Sequence, residues 1–331
     1  MRRRQRVLVV GVGSIGERHL RCFQCTDRAD VSIYEINDEL RIRIAAQYGL
    51  SGVFGTWAEA LASDFDAAVI CTPAHLHIPM AIEIARLHRH LLIEKPLSIN
   101  FDRLDELQQI VDASSITVMA AYVMRVHPAL AAMKSALDSG KFGQPVHVIG
   151  CSGQHFPTYR PAYREVYYRD RATGGGAIQD ALTHLVNAAE WLVGPIDRLA
   201  ADCSHQVLEG VDVEDTVNVI ARHKNVLASY SLNQHQAPCE SSITVVCERG
   251  TARFESHAQR WRWQIDPSAD WHDEPCDVIE RDDLFIAQAN RFLDATCGDA
   301  SPTCSLDEAT QTLRTNQAIL RASESREWVR L

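Results

Sequence analysis

The sequence predicts a two-domain α/β protein whose first half is a doubly wound parallel sheet. Three observations predict this fold. The 331 residues exceed what one hydrophobic core usually serves. Short apolar runs alternate with amphipathic segments over the first 122 residues, and a glycine-rich turn follows the first of them. Strands that alternate with helices are joined by crossovers, which make a sheet parallel and cover both of its faces.

The first domain, residues 1–122, contains six predicted strands with helices between them. Runs of β-branched and other apolar residues predict strands at Arg6–Val10, Val31–Tyr34, Gly52–Phe54, Ala67–Cys71, His90–Ile93 and Thr117–Ala121. The intervening segments predict helices at Ser14–Cys25, Asp38–Tyr48, Thr56–Ala62, His77–Leu87 and Phe101–Ala113. Gly49 suits the end of the second helix, and Asn100 suits the N-cap of the fifth.

The sequence of the second domain, residues 123–331, predicts a different architecture. Its predicted strands lack intervening helices and are expected at Val146–Gln154, Ile196–Ser204, Asp215–Ala221, Val226–Asn233, Ser241–Cys247 and Ala252–Glu255. Turns must join most of them, so the sheet should be antiparallel. Helices are predicted at Pro128–Ser139, from Ala177 to about Leu192, at Phe285–Cys297 and at Leu306–Ala322. We expect the last two helices to close this second domain.

Composition excludes several classes of protein. The net charge of −10 argues against general affinity for nucleic acid, which requires clustered Lys and Arg. Apolar runs fall far short of the ~20 residues of a membrane span, and the arginines at 2–4 are interpreted as a solvated tail rather than a signal peptide. The ten cysteines are scattered, and the pair Cys22 and Cys25 has no second pair to complete a zinc set. We therefore predict reduced thiols, a cytoplasmic location and no metal site.

A glycine-rich loop follows the first predicted strand and opens the first helix. Its residues are Gly11, Val12, Gly13, Ser14, Ile15 and Gly16. In the dinucleotide fingerprint one glycine permits the tight turn, another lets the backbone approach a pyrophosphate, and a third lets helix and strand pack closely. The amino terminus of the helix offers free N–H groups to the anion. This segment therefore predicts a dinucleotide site.

Glu35 lies at the end of the second predicted strand, about twenty residues beyond the glycines. A carboxylate at this position accepts hydrogen bonds from the adenosine ribose hydroxyls and repels a 2′-phosphate. The sequence thus favours NAD over NADP. Arg41 and Arg43 on the next helix leave NADP as the alternative.

Three further motifs occur in the order and spacing of one known family. They are Cys71–Thr72–Pro73 with His77, Glu94–Lys95–Pro96, and Gly174–Gly175–Gly176 with Asp180 and His184. Together with the glycine loop they resemble the glucose-fructose oxidoreductase and inositol dehydrogenase family, also written Gfo/Idh/MocA. The resemblance runs from residue 6 to about residue 194.

The resemblance implies a Rossmann domain followed by an α/β domain whose open, mainly antiparallel sheet often serves in oligomerisation. It implies that Thr72, Pro73 and His77 line the cofactor, with Glu94 next to them. It also implies that Lys95 faces both nicotinamide and substrate. In the family Asn is common at the position of Val123, so this chain departs from the pattern there.

The candidate catalytic residues are Lys95, Asp180 and His184. Pro96 restricts the backbone of Lys95, whose ammonium at a strand end can stabilise a developing alkoxide. Asp180 and His184 are four residues apart on one predicted helix, and a carboxylate near a histidine suits acid–base chemistry. The hypothesis is that His184 takes the substrate proton while Asp180 and Lys95 hold the oxygen. Spacing leaves open whether Lys95 or His184 carries the proton.

A tyrosine- and arginine-rich segment provides the candidate substrate contacts. Tyrosines stack on sugar faces and arginines grip carboxylates or phosphates, so Tyr159, Arg160, Tyr163 and Arg164 suggest a sugar acid or nucleotide sugar. A loop at a subunit contact is the alternative interpretation. Arg125, also a candidate, would equally suit a buried ion pair at a hinge.

These features predict an NAD(P)-dependent dehydrogenase or reductase. It would move a hydride between nicotinamide and a hydroxyl or keto carbon of a sugar, sugar acid, nucleotide sugar or cyclitol. The alternatives are a catalytically silent nucleotide-binding regulator and a reductase of a non-sugar substrate. We also expect a homodimer or homotetramer formed through the second sheet, because its uncovered face needs a partner.

Overall fold

A computed structural model describes residues 3–331 of the chain. Its strands are β1 (Gln5–Val10), β2 (Ala29–Tyr34), β3 (Val53–Phe54), β4 (Ala67–Ile70), β5 (His90–Ile93), β6 (Val118–Ala120), β7 (Pro145–His155), β8 (Arg198–Ser204), β9 (Thr216–His223), β10 (Val226–Asn233), β11 (His235–Cys247), β12 (Gly250–Glu255), β13 (Arg260–Gln264), β14 (His272–Glu274) and β15 (Val329–Arg330).

The α-helices lie between these strands along the chain. They are α1 (Ser14–Cys25), α2 (Asp38–Tyr48), α3 (Trp57–Ala62), α4 (His77–Arg86), α5 (Leu104–Asp112), α6 (Pro128–Asp138), α7 (Phe156–Tyr159), α8 (Thr183–Val193), α9 (Arg281–Thr296) and α10 (Leu306–Ser325). Among residues 3–331, no helix combines the length and apolar composition that crossing a membrane requires.

The first sheet has six parallel strands in the order β3-β2-β1-β4-β5-β6. In β1 the side chains of residues 7–10 are fully buried, as expected for a strand covered on both faces. Val10 pairs with Tyr34 on one side and with Ile70 on the other, so these three strands end at the same level. The residues that follow them therefore meet at one edge, where doubly wound folds bind ligands. The predicted fold class of the first half is confirmed.

The chain forms two compact units, and the first includes a segment that lies late in the sequence. It contains the described residues up to Val123 together with Glu280–Ala309. Helix α9 packs on α1, with the ring of Phe292 edge-on to Phe23 at 6.2 Å between centroids. Asp282 accepts hydrogen bonds from Arg21 at 2.6 and 2.9 Å. The expectation that this helix closes the second domain is therefore wrong, because its apolar side completes the core beside α1.

The second unit, Met124–Ile279 with Thr310–Leu331, is built on nine strands. Their order is β14-β13-β12-β11-β7-β10-β9-β8-β15, and the neighbouring pairs are antiparallel except for β7 with β10. Helix α8 covers one face of this sheet, where Gly150 leaves room for the side chains of Leu185 and Tyr230. The mainly antiparallel sheet is thus as expected. Strands β13, β14 and β15 were not predicted.

Several helix starts differ from the sequence prediction, and α9 begins at Arg281 rather than Phe285. Helix α5 begins at Leu104 rather than Phe101, because the side chain of Asn100 accepts from the Asp102 N–H and so closes a turn before the helix. The helix expected from Ala177 begins with a π-helical turn at Ile178–Leu182 and continues as α8. Such π turns occur frequently at functional sites.

The buried His127 makes the stability of the second unit depend on pH. Its ring accepts a hydrogen bond from the Ala129 N–H at the start of α6 and packs edge-on against Phe254 at 4.9 Å. The residue is 4% exposed. Burial lowers the pKa of His127 from its ordinary value of 6.5 to about 4. Because the neutral ring is the native form, its contribution is fully present above pH 6.5 and is lost as the pH falls towards 4.

We predict that His127→Asn makes the free energy of unfolding depend less on pH in this range. Asparagine keeps an N-cap acceptor but does not titrate in this range. Between pH 7 and pH 4.5, the free energy of unfolding of the wild type should fall by about 2–3 kcal/mol more than that of the variant. Urea unfolding at both pH values measures the difference. Parallel losses in the two proteins would contradict the assignment.

Candidate functional site

Two positions in the segment that leads from β1 into α1 accept only glycine, one because of its backbone conformation and the other because of a close contact. Gly11 has φ +82° and its N–H donates to the Tyr34 carbonyl at 2.8 Å. A Cβ on Gly16 would lie 1.9 Å from the Gly11 carbonyl oxygen, so helix and loop are in direct backbone contact. A Cβ on Gly13 would meet nothing within 4 Å. The space in front of Gly13, at the amino terminus of α1, is therefore open to an anion.

Glu35 faces this loop from the end of β2. Its Oε2 accepts from the Val12 N–H at 2.9 Å and its Oε1 from the Asn37 N–H at 3.0 Å. The carboxylate is half-buried and lies beside the glycine loop, where a ribose would be held. Arg41 donates to the Glu35 carbonyl at 2.9 Å and pairs with Asp38 at 2.6 Å. Because Arg41 already has an acidic partner, the site fits NAD better than NADP.

His77 joins the loops that follow β4 and β5. Its Nε2 lies 2.8 Å from the Thr72 carbonyl and its Nδ1 lies 3.0 Å from the Pro96 carbonyl, and the residue is 1% exposed. Burial lowers the pKa of His77, although both carbonyls favour the charged ring. The structure thus places His77 behind the ligand edge. Thr72 is half-buried and Pro73 is exposed at that edge.

Glu94 is a buried carboxylate that links the glycine-loop helix to Lys95. Its Oε1 is 2.7 Å from His19 Nε2 on α1, and its Oε2 accepts from the Lys95 N–H at 2.9 Å. His19 and Glu94 are 0% and 5% exposed. Burial alone would raise the pKa of Glu94, but the His19 hydrogen bond and the Lys95 charge lower it overall. Lys95 itself is half-buried, as a group that contacts both cofactor and substrate would be.

Asp180 and His184 lie on the helix that begins with the π turn in the second unit. Both side chains are half-buried, whereas the residues on either side of this stretch are mostly buried. The hydroxyl of Tyr167 donates to Asp180 Oδ1 at 2.6 Å. The predicted acid–base pair thus has a third neighbour, which the sequence analysis did not assign to the site.

The glycines before this helix allow two close backbone contacts. A Cβ on Gly175 would lie 2.2 Å from the Tyr168 carbonyl oxygen, and one on Gly176, at φ +91°, would lie 2.5 Å from Glu214 Oε1. Glu214 Oε1 also accepts from the Ile178 N–H at 3.0 Å, and its Oε2 pairs with Arg171 at 2.8 Å. The buried Glu214 thereby fixes the start of the helix that carries Asp180.

The candidate substrate residues differ in exposure. Tyr159 is 53% exposed and Arg160 is exposed. Tyr163 is 2% exposed and its hydroxyl donates to the Glu209 carbonyl at 2.8 Å. Arg164 lies over the Tyr163 ring and pairs with Glu209 at 3.3 Å. Of these four, Tyr159, Arg160 and Arg164 are exposed, and only Tyr163 lacks the accessibility that a ligand contact requires.

Arg125 is buried within the second unit. It is 5% exposed, its Nε donates to Asn187 Oδ1 at 2.8 Å, and its guanidinium lies 5.7 Å from the centroid of the Trp191 ring. These contacts are those of a residue that orders the helix carrying His184. A side chain that is 5% exposed offers little surface to a ligand, unlike those of Tyr159 and Arg160.

The candidate residues therefore form two groups, one in each unit. Residues that follow β1, β2, β4 and β5 bring the glycine loop, Glu35, Thr72 and Lys95 to one sheet edge. Asp180, His184 and the exposed Tyr159 and Arg160 belong to the second unit.

Comparison with known proteins extends over both units. Residues 5–122 match an oxidoreductase family described by its NAD-binding Rossmann fold, and residues 130–253 match the GFO/IDH/MocA C-terminal domain. D-xylose 1-dehydrogenase (NADP(+)) of Haloarcula marismortui is 26% identical over 82% of this chain and 77% of its own length.

Two solved structures share the fold over the whole chain. A levoglucosan dehydrogenase in complex with NADH superimposes with a TM-score of 0.91 at 21% identity and covers 99% of both chains. The WlbA dehydrogenase of Bordetella pertussis, in complex with NADH and UDP-GlcNAcA, has a TM-score of 0.86 at 25% identity and covers 99% of this chain and 98% of its own.

We predict that alanine at Gly16 and at Gly13 has different effects. Gly16→Ala should lower the melting temperature by several degrees and abolish NADH binding, because its Cβ collides with the Gly11 carbonyl. Gly13→Ala should leave the melting temperature unchanged yet weaken NADH binding roughly 10-fold, because the methyl group projects into open space next to α1. Thermal unfolding and NADH fluorescence titration measure both. Equal effects of the two variants on both measurements would contradict this interpretation of the loop.

Proposed function

Because the chain belongs to the Gfo/Idh/MocA family of NAD-binding oxidoreductases, we propose that it transfers a hydride between NAD and a hydroxyl- or keto-bearing carbon of a carbohydrate-like substrate. The observation that carries the proposal is the position of Lys95. It follows β5 at the same sheet edge as the glycine loop and Glu35, and its backbone is held by the buried Glu94. An ammonium next to a dinucleotide site suits a reaction in which negative charge develops on a substrate oxygen.

The first unit provides the cofactor contacts. NAD supplies, when bound, a nicotinamide ring that accepts or gives up the hydride. Gly11, Gly13 and the amino terminus of α1 would hold the pyrophosphate, and Glu35 would accept the ribose hydroxyls. Thr72 and Pro73 border the same edge. His77, behind them, would keep their loop in place.

The second unit provides the acid–base group. In the oxidative direction His184 would take the proton of the substrate hydroxyl, and in the reductive direction it would return that proton to the keto oxygen. Asp180 would hold the substrate hydroxyl as a hydrogen-bond acceptor in the ground state, and Lys95 would donate to the alkoxide oxygen once the proton has passed to His184. This role requires the two groups of residues to act on one substrate.

The substrate class follows from the exposed residues of the tyrosine-rich segment. Tyr159 offers a ring face to a sugar, and Arg160 offers a fork of donors to a carboxylate or phosphate. The names of the compared proteins refer to xylose, levoglucosan and a nucleotide-linked sugar acid. We therefore propose a sugar acid or nucleotide sugar as the first substrates to test.

Assembly through the second sheet is a further part of the proposal. Ile149, Ile220 and Leu227 are 42%, 53% and 50% exposed and share the face turned away from α8. Apolar side chains on an uncovered sheet face favour a homodimer or homotetramer through this surface. All ten cysteines are free thiols, which suits a cytoplasmic location.

We predict that Lys95→Ala and His184→Asn each lower kcat/KM by about 10²-fold or more, with NADH affinity within about 3-fold of the wild type. The assay follows NADH absorbance with a panel of sugars, sugar acids, nucleotide sugars and cyclitols. Lys134→Ala, which removes a half-buried lysine paired with Asp138, is the control. Near-native turnover in both test variants would defeat the assignment. A wild type that binds NADH but oxidises no compound would favour a nucleotide-binding regulator.

We also predict that Glu35→Ser shifts cofactor preference by about 10-fold or more towards NADP. The substitution removes the charge that repels a 2′-phosphate and the acceptor for the ribose hydroxyls. The ratio of the dissociation constants for NADH and NADPH measures the shift. Glu39→Ser, at an exposed position on α2, should leave the ratio unchanged. An unchanged ratio in Glu35→Ser would mean that Glu35 does not face the adenosine ribose.

A further inference from the structure

Tyr167 makes a short hydrogen bond to the carboxylate that the proposed reaction requires. Its hydroxyl donates to Asp180 Oδ1 at 2.6 Å. This distance lies in the range of about 2.5–2.7 Å for charge-assisted O–H···O⁻ bonds, which are roughly twice as strong as neutral ones. The tyrosine side chain is 44% exposed, so burial of the tyrosine itself does not explain why it lies there.

The backbone around Tyr167 is held against the start of the helix that carries Asp180. The Tyr168 carbonyl accepts from the Gly176 N–H at 3.1 Å, and the Tyr167 carbonyl accepts from the Thr173 hydroxyl at 2.9 Å. Any side chain on Gly175 would push this segment away, because its Cβ would lie 2.2 and 2.6 Å from those two carbonyl oxygens. The glycines before the helix therefore serve to bring Tyr167 next to Asp180.

A small apolar cluster anchors the same segment on its other side. It consists of Phe156, Tyr163, Tyr168, Leu208, Val211 and Val213. Tyr168 is 1% exposed and its hydroxyl bonds to the buried Gln234. Consecutive tyrosines thus have different positions: Tyr168 fixes the segment in the core and Tyr167 extends to Asp180. Because its neighbour Tyr168 is anchored in this way, Tyr167 has a defined position although its side chain is partly in solvent.

We propose that Tyr167 is a positioning residue for Asp180. The inference rests on the proposed function, because it assigns Tyr167 a role in the same acid–base group. The hydroxyl fixes the plane of the Asp180 carboxylate and favours its ionised form, so that this carboxylate accepts the hydrogen bond of the substrate hydroxyl in the ground state, before the proton is transferred. Tyr167 keeps its own proton throughout, and the substrate proton goes to His184.

The first experiment separates positioning from binding. Tyr167→Phe removes the hydroxyl and keeps the ring. We expect kcat to fall about 10-fold, the loss typical of one hydrogen bond to a charged group. The KM of the substrate and the NADH affinity should stay within about 2-fold of the wild type, and the melting temperature within about 2 °C. Tyr48→Phe is the matched control, because it removes a 2.8 Å bond from a tyrosine to the Glu17 carboxylate in the first unit.

The second measurement tests the contact without any turnover. In protein labelled with ¹³Cζ-tyrosine, the resonance of Tyr167 is assigned by its disappearance in Tyr167→Phe. Asp180→Asn replaces the charged acceptor by a neutral one and should shift that resonance, while the resonance of Tyr48 stays in place. A resonance of Tyr167 that ignores Asp180→Asn would overturn the inference whether or not the protein is an oxidoreductase.

The outcomes distinguish this inference from the proposed function. A wild type that turns over no substrate means that the proposed function fails, and the positioning role fails with it even if the resonance shifts. An active wild type with an equally active Tyr167→Phe overturns the positioning role alone. A loss of kcat together with a large drop in melting temperature or NADH affinity identifies a structural role and also overturns it.

Discussion

The first unit depends on the buried carboxylate of Glu94. A carboxylate excluded from water is stable only when hydrogen bonds replace its hydration. His19 on α1 and the Lys95 N–H supply them, each to a different oxygen. Because α1 begins at the glycine loop, this single group connects the loop proposed to receive a pyrophosphate with the residue proposed to face the nicotinamide. Removing His19 would leave one oxygen of this buried carboxylate without its hydrogen bond.

Close backbone contacts position the functional side chains in both candidate groups of residues. Gly16 lets α1 lie against the Gly11 carbonyl, and Gly175 lets the segment of Tyr168 lie against the start of the helix that carries Asp180. In both places a missing side chain brings main-chain atoms together, and the functional groups are oriented by that contact. Rigid placement of this kind limits the reorganisation that a transition state would otherwise require.

Part of the fold and of the site follows from the sequence because local patterns determine it. The strands of the first sheet coincide with runs of β-branched and other apolar residues, and the glycine fingerprint specifies both a turn and its ligand. The segment of α9 has a clear apolar side, but such a pattern tells which side is buried and not which unit covers it. Tyr163 and Tyr159 look alike in an aperiodic loop, so their different burial depends on tertiary contacts. Strand β13 did carry a signal, because Trp261 and Trp263 alternate with polar residues.

The path of the chain has a consequence for synthesis of the protein. Phe23 and Phe292, whose rings pack together in the first unit, are separated by nearly the whole second unit in sequence. On the ribosome the amino-terminal 123 residues therefore emerge long before the helix that covers this part of α1. During that interval the apolar side of α1 is exposed to solvent or to chaperones, and the first core is completed only after translation has passed residue 296.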